Sequence, residues 1–321
     1  MDRQPRRRRR SRHRRIYWSR LLVVLLGLIV AVFGLVKLIS YGVDLLSSRH
    51  TAEELRDVYY ADSTFDPISV TEAPTLIMTP TPKETPIVTP TVTASPTPSP
   101  IPRLPSVSYP NNPKLTVSSR FKALRKESKY IVGWLSIHRM LDEAVMQRDN
   151  VYYMDHDALG NPNVNGALFL DSGISLKERP YTYIIYGHNM KSGAMFGSLR
   201  NYENSTFYHN DPFITYDTMY ETGRYVIFAV GSVGTEEWGR NYVDFYALRS
   251  ANIPERQAVI DILIAASVHT CTIDVQPEDQ LLVLVTCVEK DEDRRVVVAR
   301  RIRDGEDETE LKKLVHKSRK R

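Results

Sequence analysis

The stretch "LVLVTCVEKDEDRRVVVAR", residues 282–300, places a nucleophile close to two cations: Cys287 ends an apolar run, and Arg294 and Arg295 follow it. The thiolate of a cysteine attacks carbonyl carbons, and a neighbouring cation favours the thiolate form. An arginine can also hold a substrate carbonyl and the oxyanion that develops on it. The chain has one other cysteine, Cys271, so Cys287 is either a nucleophile or half of a disulfide.

Strand periodicity predicts where these groups lie. In "LLVLVTC", residues 281–287, both alternating faces are apolar, which predicts a buried strand with Cys287 at its rim. The connection "VEKDED" is short enough for a hairpin-like turn, and the next strand places Arg294 on one face and Arg295 on the other. One arginine is then expected beside Cys287. In the alternative, both are rim residues that pair with the acidic residues 291–293.

A histidine is the second candidate for chemistry. His188 follows Gly187 at the end of the apolar segment "YTYIIYGH", and a strand end that opens into a loop is where a rigid scaffold presents reactive groups. Such a histidine can protonate a leaving amine and later deprotonate an incoming one. The eight histidines show no H-x-H or HExxH spacing, so the sequence predicts no metal site.

Most of the segments around these residues have the composition of strands. Short β-branched and aromatic runs alternate with turn signals between residues 116 and 306, which favours a mainly β domain, either a closed barrel or a sandwich. Helices are predicted at "SSRFKALRKES" and "IPERQAVIDILIAAS". The predicted strands are "YIVGWLSI", "VYYMD", "GALFLD", "YTYIIYGH", "PFITYD", "RYVIFAVGSV", "DFYALRS", "LLVLVTCV" and "RRVVVARRI".

The N-terminus has the composition of a membrane anchor. Residues 1–20 form a basic arm with ten arginines, and residues 21–40 are apolar apart from Lys37, which is the length that crosses a bilayer. Positive flanks stay cytoplasmic, so the remainder is expected outside the cell. The whole chain has a net charge of +5 and the arm alone carries +9, so the rest of the chain carries −4. A nucleic-acid-binding arm is the alternative, and its position against an apolar span speaks against it.

Two further segments separate the span from the predicted domain. Residues 41–73 form a juxtamembrane segment, in which Thr51 and Glu54 have the spacing of a capping box that starts a short helix. Residues 74–115 are a linker rich in Pro, Thr and Ser, which favours extended geometry. It is either a stalk that holds the domain away from the bilayer or an ordinary interdomain linker. Residues 307–321 form a charged tail.

The order His, Cys, Arg resembles that of the sortases, the cysteine transpeptidases of Gram-positive cell surfaces. "GHNM" follows an apolar strand, and Thr-Cys closes a later one. The resemblance covers about residues 128–303. It is closest to class B in "YIVGWLSI", "DNVYYMDHDALG", "GALFLD", "IIYGHNMKSGAMFGSL" and "RRVVVARRI". The implied fold is a closed eight-stranded β-barrel with a few helices.

The resemblance also implies residue roles. Cys287 matches the nucleophile, His188 the general acid and base, and Arg294 the arginine that precedes the last strand, with Arg295 in reserve. Thr286 matches the threonine before the nucleophile, which helps to shape the substrate pocket. Two positions depart from the family pattern: Val283 replaces the first threonine of T-L-x-T-C, and Val285 replaces a small polar residue. These departures bear on which sorting motif is recognised.

The implied activity is a two-step transpeptidation at the outer face of the membrane. Cys287 would cleave a C-terminal sorting signal, N-P-x-T-N or (L/S/P)-P-x-T-G, after its threonine and form a thioacyl enzyme. An amine of a peptidoglycan precursor, or a pilin lysine, would then accept the secreted protein. No metal or organic cofactor is implied.

Three alternatives belong to other classes or subclasses. A pilin-polymerising sortase would share every residue named. A non-catalytic stalked surface protein would hold a Cys271–Cys287 disulfide, and closing that 16-residue loop would contribute roughly 3 kcal/mol. A papain-like hydrolase is disfavoured, because such enzymes place the cysteine before the histidine and here His188 precedes Cys287.

Overall fold

Most of the polypeptide folds into one mainly β unit with five α-helices among the described residues. The computed structural model describes residues 18–61, 101–234, 241–287 and 293–321, and for residues 18–21 and Cys287 it describes only the backbone. The helices are α1 (Trp18–Ala61), α2 (Ser119–Glu127), α3 (Ser205–Asn210), α4 (Ile253–Ala266) and α5 (Glu308–Val315). The strands are β1 (Ile131–Ile137), β2 (Leu141–Met146), β3 (Leu168–Leu170), β4 (Thr182–Gly187), β5 (Phe213–Thr218), β6 (Thr222–Gly234), β7 (Leu281–Cys287) and β8 (Asp293–Arg301).

The eight strands close into a barrel in the order β1-β2-β3-β4-β7-β8-β6-β5. This confirms the barrel over the sandwich and over any open sheet. Two neighbouring pairs, β2 with β3 and β4 with β7, are parallel, and the others are antiparallel. The parallel pair β4–β7 matters for function, because the carboxyl ends of parallel strands meet at one end of the barrel.

The predicted strands differ from the observed ones at three places. "VYYMD" and "DFYALRS" contain short 3₁₀ turns, Tyr152–Met154 and Ala247–Arg249, so both strand predictions were wrong. In each case an aspartate carboxylate accepts a backbone N–H two residues on, Asp149 from Val151 and Asp244 from Tyr246, which starts a turn. The third difference is β2, "LDEAVM", a strand that was not predicted because its two acidic residues are untypical of strands.

Both predicted helices are confirmed, as α2 and α4, but the predicted short helix at Thr51 is not a separate element. It is the end of α1, a single helix of 44 residues, so Thr51 lies within a helix instead of capping one. The part of α1 from Leu22 to Ala61 is long and apolar enough to cross a membrane. Chain contacts define two units, one that ends at Ser47 and one from Ser48 to Arg321.

Three segments outside the predicted domain belong to the barrel unit. In residues 48–61, Leu55 and Tyr59 are buried in a cluster on the outer face of the barrel. Leu104 is buried, and its N–H donates to the carbonyl of Ala251. In the tail, helix α5 buries Leu311 and Val315 against the main core. Residues 74–100 of the predicted linker lie outside the described residues, together with residues 62–73, and residues 62–100 connect two parts of one unit. Residues 101–115, the rest of the predicted linker, are described and belong to the barrel unit.

The contact between residues 48–61 and β2 predicts that the stability of the protein depends on pH. Glu143 lies in β2 beside Thr51 and Leu55. Burial raises the pKa of Glu143 to about 7 from 4.5; Arg56 lowers it and Asp142 raises it further. The raised pKa means that the folded state binds the proton more tightly than the unfolded state. The contribution of this carboxyl to the free energy of unfolding is therefore fully present below about pH 4.5 and is lost as the pH rises through about 7.

We expect the thermal midpoint of the full chain in detergent to fall between pH 5 and pH 8. Glu143→Gln should reduce this fall, because the amide has no proton to lose. The exposed Glu127→Gln of α2 is the matched control, and it should reproduce the wild-type dependence. An unchanged pH dependence in Glu143→Gln would contradict the prediction.

Candidate active site

Strands β4 and β7 bring the two predicted reactive residues to the same end of the barrel. They pair in parallel from Thr182–Leu281 to Gly187–Thr286. His188 follows Gly187 directly, and Cys287 follows Thr286 directly. Cys287 is the last residue of β7, and its side chain lies outside the described part of the chain. The register alone places the two residues next to one another across adjacent strands.

Strand β8 supplies the arginine. Cys287 pairs with Arg294 and Thr286 pairs with Arg295. Arg294 lines the same cavity as His188, whereas Arg295 donates from Nε to the Glu203 carboxylate at 3.0 Å and is 15% exposed. The geometry favours Arg294 over the reserve candidate as the arginine that faces the site. Of the acidic residues proposed as rim partners, Asp291 and Glu292 lie outside the described residues.

A cavity of about 230 Å³ lies at this end of the barrel. The predicted residues His188, Thr286, Val285 and Arg294 all line it. The sequence analysis did not select four residues that also line it, namely Asn150, Met154, Phe169 and Tyr186. Met154 ends the 3₁₀ turn that was misread as a strand, and Asn150 lies just before it, so the strand prediction concealed their position.

The imidazole of His188 has a defined orientation. Its Nε2 lies 2.6 Å from the carbonyl oxygen of Met154. A carbonyl oxygen only accepts, so Nε2 carries the proton and donates it, and in the neutral ring Nδ1 keeps the lone pair that can take a proton. The backbone before it is fixed by packing: a Cβ at Gly187 would meet Leu168 at 2.6 Å and Phe196 at 2.9 Å. Only glycine allows β4 to approach these side chains so closely.

A buried carboxylate supports the wall of the cavity. Asp171, which follows β3, is 1% exposed and accepts from Arg249 Nη1 at 2.6 Å. Its other oxygen accepts from Asn150 Nδ2 at 3.2 Å and from the Tyr186 hydroxyl at 3.3 Å. Burial raises the pKa of Tyr186, and Asp171 raises it further, so this hydroxyl stays protonated. One aspartate thus orients two cavity residues and ties Arg249 of the β6–β7 connection to them.

Cys271 lies elsewhere. It is a free cysteine whose thiol donates to the carbonyl of Ile273 at 3.3 Å. Burial raises the pKa of this thiol, and Arg321 and Arg300 are among the cations that lower it. Arg300 pairs with Leu281, at the opposite end of β7 from Cys287, about 20 Å away along a strand of six residue steps. The disulfide of the non-catalytic alternative is therefore contradicted.

Comparison with known proteins agrees with this geometry. The family model for the sortase domain matches residues 136–302. Sortase B of Listeria monocytogenes is 32% identical over 189 residues, 57% of this chain and 73% of that protein. Sortase B of Staphylococcus aureus is 28% identical over 192 residues, 58% of this chain and 75% of that protein.

The fold is similar to that of a sortase B-like protein from Bacillus anthracis solved by crystallography. The TM-score is 0.57 at 22% identity, covering 80% of this chain and 96% of that one. Shared barrel topology, the placement of His188, Cys287 and Arg294 at one barrel end, and the extent of the family match lead to one conclusion. The chain belongs to the sortase family of cysteine transpeptidases and is class B-like.

Proposed function

We propose that this enzyme cleaves a C-terminal sorting signal after its threonine and transfers the preceding protein to an amine. The observation that carries the proposal is the strand register: Cys287 pairs with Arg294 on one side, and on the other side β7 pairs with β4, which ends just before His188. A nucleophile, an oxyanion-binding cation and a proton carrier are thus gathered at one barrel end. This set suits acyl transfer from one amine to another.

In the first step, the thiolate sulfur of Cys287 attacks the carbonyl carbon of the threonine. Negative charge develops on the carbonyl oxygen, and the guanidinium of Arg294 holds it. The C–N bond then breaks, and cationic His188 gives its proton to the leaving amine. The products are a thioester on Cys287 and the released C-terminal piece.

In the second step, an amine attacks the thioester carbon. His188 accepts the proton that the nitrogen loses as the new amide bond forms. The C–S bond breaks, and the electron pair returns to sulfur as the thiolate of Cys287. Atoms and charge balance without any cofactor, because the chemistry exchanges one acyl–nitrogen bond for another through a thioester.

Substrate selection is assigned to the cavity. Val285 and Thr286 line it from β7, Tyr186 from β4 and Phe169 from β3, so an apolar peptide segment can be buried next to the reacting carbonyl. We propose that motifs of the N-P-x-T-N or (L/S/P)-P-x-T-G kind bind there. Val285, where the family pattern has a small polar residue, favours a less polar side chain near the threonine, whereas Val283 is buried in the core.

The location is proposed from the N-terminus. The basic arm in residues 1–20 would remain in the cytoplasm and α1 would anchor the enzyme in the cell membrane, with the barrel unit outside. Its partners would be secreted proteins that carry the sorting signal. The acceptor would be an amine of a peptidoglycan precursor.

The test uses the full chain in detergent with short peptides that carry N-P-x-T-N, L-P-x-T-G or S-P-x-T-G, read by mass spectrometry. Two acceptors are supplied in parallel, a small peptide with a free N-terminal amine and a pilin-type peptide with a lysine side chain. Cleavage after threonine with the N-terminal fragment joined to the first acceptor is expected. Joining to the lysine acceptor alone would favour pilin polymerisation. The absence of cleavage of every peptide by a chain with a reactive thiol would overturn the proposed motif.

A further inference from the structure

We propose that the end of α1, residues 48–61, is a positioning element for His188 and acts through the loop of residues 155–166. This inference rests on the role given to His188 in the proposed function. Residues 48–61 precede the Pro/Thr-rich segment and lie outside the span matched to the sortase model. Three sets of contacts carry the inference, from the helix to the barrel, from the helix to the loop, and from the loop to the imidazole.

The first set fixes the helix on the outer face of the barrel. Tyr59 is 4% exposed, and its ring stacks on Trp134 with centroids 4.3 Å apart and planes 6° from parallel. Its hydroxyl donates to the Asp217 carboxylate at 2.5 Å. Leu55 is buried one turn earlier, and Arg56 lies 3.0 Å from the Asp142 carboxylate. Aromatic stacking and burial of this kind set both the position and the rotation of the helix.

The second set joins the helix to the loop. The Ser48 hydroxyl donates to Asn163 Oδ1 at 3.1 Å and accepts from Asn165 Nδ2 at 3.1 Å. One turn later, the Thr51 hydroxyl donates to the Asp157 carboxylate at 3.4 Å. Asp157 is 2% exposed, and Asn163 and Asn165 are also buried. Buried polar groups need partners, so the loop has a free-energy preference for the place where the helix supplies them.

Asp157 also organises the loop internally. Its carboxylate accepts the N–H groups of Leu159 and Asn161 at 3.0 and 2.9 Å. The N–H of Asn163 donates to the carbonyl of Asp155, the residue that follows Met154. The loop therefore moves as a connected body and not as a flexible strand of independent residues. A displacement at Ser48 is transmitted to Met154 through two hydrogen bonds.

The third set joins the loop to the imidazole. The carbonyl of Met154 accepts from His188 Nε2, and the N–H of Ala167 donates to the carbonyl of Tyr153. At the other end of the loop, a Cβ on Gly166 would lie 3.2 Å from Cδ2 of His188. The backbone of Gly166 therefore lies close to the ring, and the carbonyl of Met154, just before the loop, binds its nitrogen. In this proposal the helix fixes the position of the loop, and the loop fixes the position of the His188 imidazole.

The consequence is that catalysis depends on a helix that touches neither the cavity nor the substrate. Small displacements of a proton carrier cost rate steeply, since about 1 Å can cost on the order of 100-fold. Ser48 and Thr51 are thus positioning residues in this proposal, and the orientation of the His188 imidazole reports on them.

The test compares Ser48→Ala with Tyr60→Phe in the full chain. Ser48→Ala removes both bonds to the loop and keeps a strong helix former. Tyr60→Phe is the matched control: it removes one hydroxyl of the same helix, which donates to the Asp142 carboxylate of β2 at 3.1 Å. We expect Ser48→Ala to lower kcat about tenfold with KM within about twofold, and Tyr60→Phe to change neither beyond about twofold. Ser48→Thr, which keeps the hydroxyl, should restore most of kcat.

A second readout needs no substrate, so it separates this inference from the proposed function. The ¹³Cε1 resonance of His188, assigned with His188→Ala, is recorded by NMR at one pH in the wild type and both variants. We expect its chemical shift to change in Ser48→Ala, because the ring loses its fixed place against Met154 and Gly166, and to match the wild type in Tyr60→Phe. Equal chemical shifts in all three proteins would overturn the inference even if peptides are cleaved. A changed shift in Ser48→Ala, together with a wild type that cleaves no peptide, would overturn the proposed function alone.

Discussion

Cys287→Ala should abolish peptide cleavage and transfer, lowering kcat/KM by more than about 10⁴-fold. Removal of a covalent nucleophile leaves only binding and oxyanion stabilisation, because no other group in the set can form the acyl intermediate. The measurement is initial rate with the best cleaved peptide, together with intact mass of the enzyme after rapid quenching. Wild type should show the added mass of the acyl fragment, and the variant should not.

Cys271→Ala is the matched control. The thiol of Cys271 is half-buried and burial raises its pKa, so it is a poor nucleophile at neutral pH. The variant should keep wild-type activity and the acyl-enzyme mass, with or without reductant. Loss of activity in Cys271→Ala equal to that in Cys287→Ala would contradict the separate roles given to the two cysteines.

The second large effect is expected at the arginine pair. Arg294→Ala should lower kcat/KM by about 10² to 10³-fold, the cost of losing an oxyanion-binding group. Arg295→Ala should lower it only slightly, since Arg295 bonds to Glu203, a side chain that is 43% exposed. An ion pair this exposed contributes about 1 kcal/mol or less to stability.

Lysine variants sharpen the comparison. Arg294→Lys keeps the charge and loses the planar fork, so we expect it to recover only part of the activity. Arg295→Lys should behave like wild type in rate and in thermal midpoint. A larger loss of kcat/KM in Arg295→Ala than in Arg294→Ala would show that β8 is shifted by one residue, because such a slip exchanges the two faces.

The chemistry of this site was predictable because it lies on regular strands. Alternation along "RRVVVAR" places Arg294 and Arg295 on opposite faces, and the short connection to β7 brings one of them beside Cys287. The resemblance predicts Arg294 as the functional arginine, with Arg295 in reserve. In the structure Arg294 lines the cavity with His188, and Arg295 donates to Glu203, a residue 92 positions away in the chain for which there is no local signal.

Composition predicted nine strands and the barrel has eight, because two of the predictions were wrong and one strand, β2, was missed. The segments around Tyr152 and Ala247 have strand composition, but an aspartate at the start of each diverts the backbone into a turn. Strand β2 follows a connection in which Arg139 has φ of 58°, without the glycine or asparagine that usually marks such a turn. Tertiary pairing with β1 outweighed local propensity there.

The end of α1 was misread for a related reason. Thr51 with Glu54 has the spacing of a capping box, a pattern that is common at helix starts but does not itself start a helix. Here the helix is continuous, and the Thr51 hydroxyl is used by Asp157, 106 residues later in the chain. Only the folded barrel shows that partner.

Residues 62–100, which include most of the Pro/Thr-rich linker, connect Ala61 to Ile101 within the barrel unit. Their number therefore sets the size of a loop closed within one folded body. Loop closure depends weakly on length: doubling the segment would cost roughly 0.6 kcal/mol of closure entropy. A single proteolytic cut in it would leave residues 48–61 held on the barrel by the contacts of Tyr59 with Trp134 and Asp217.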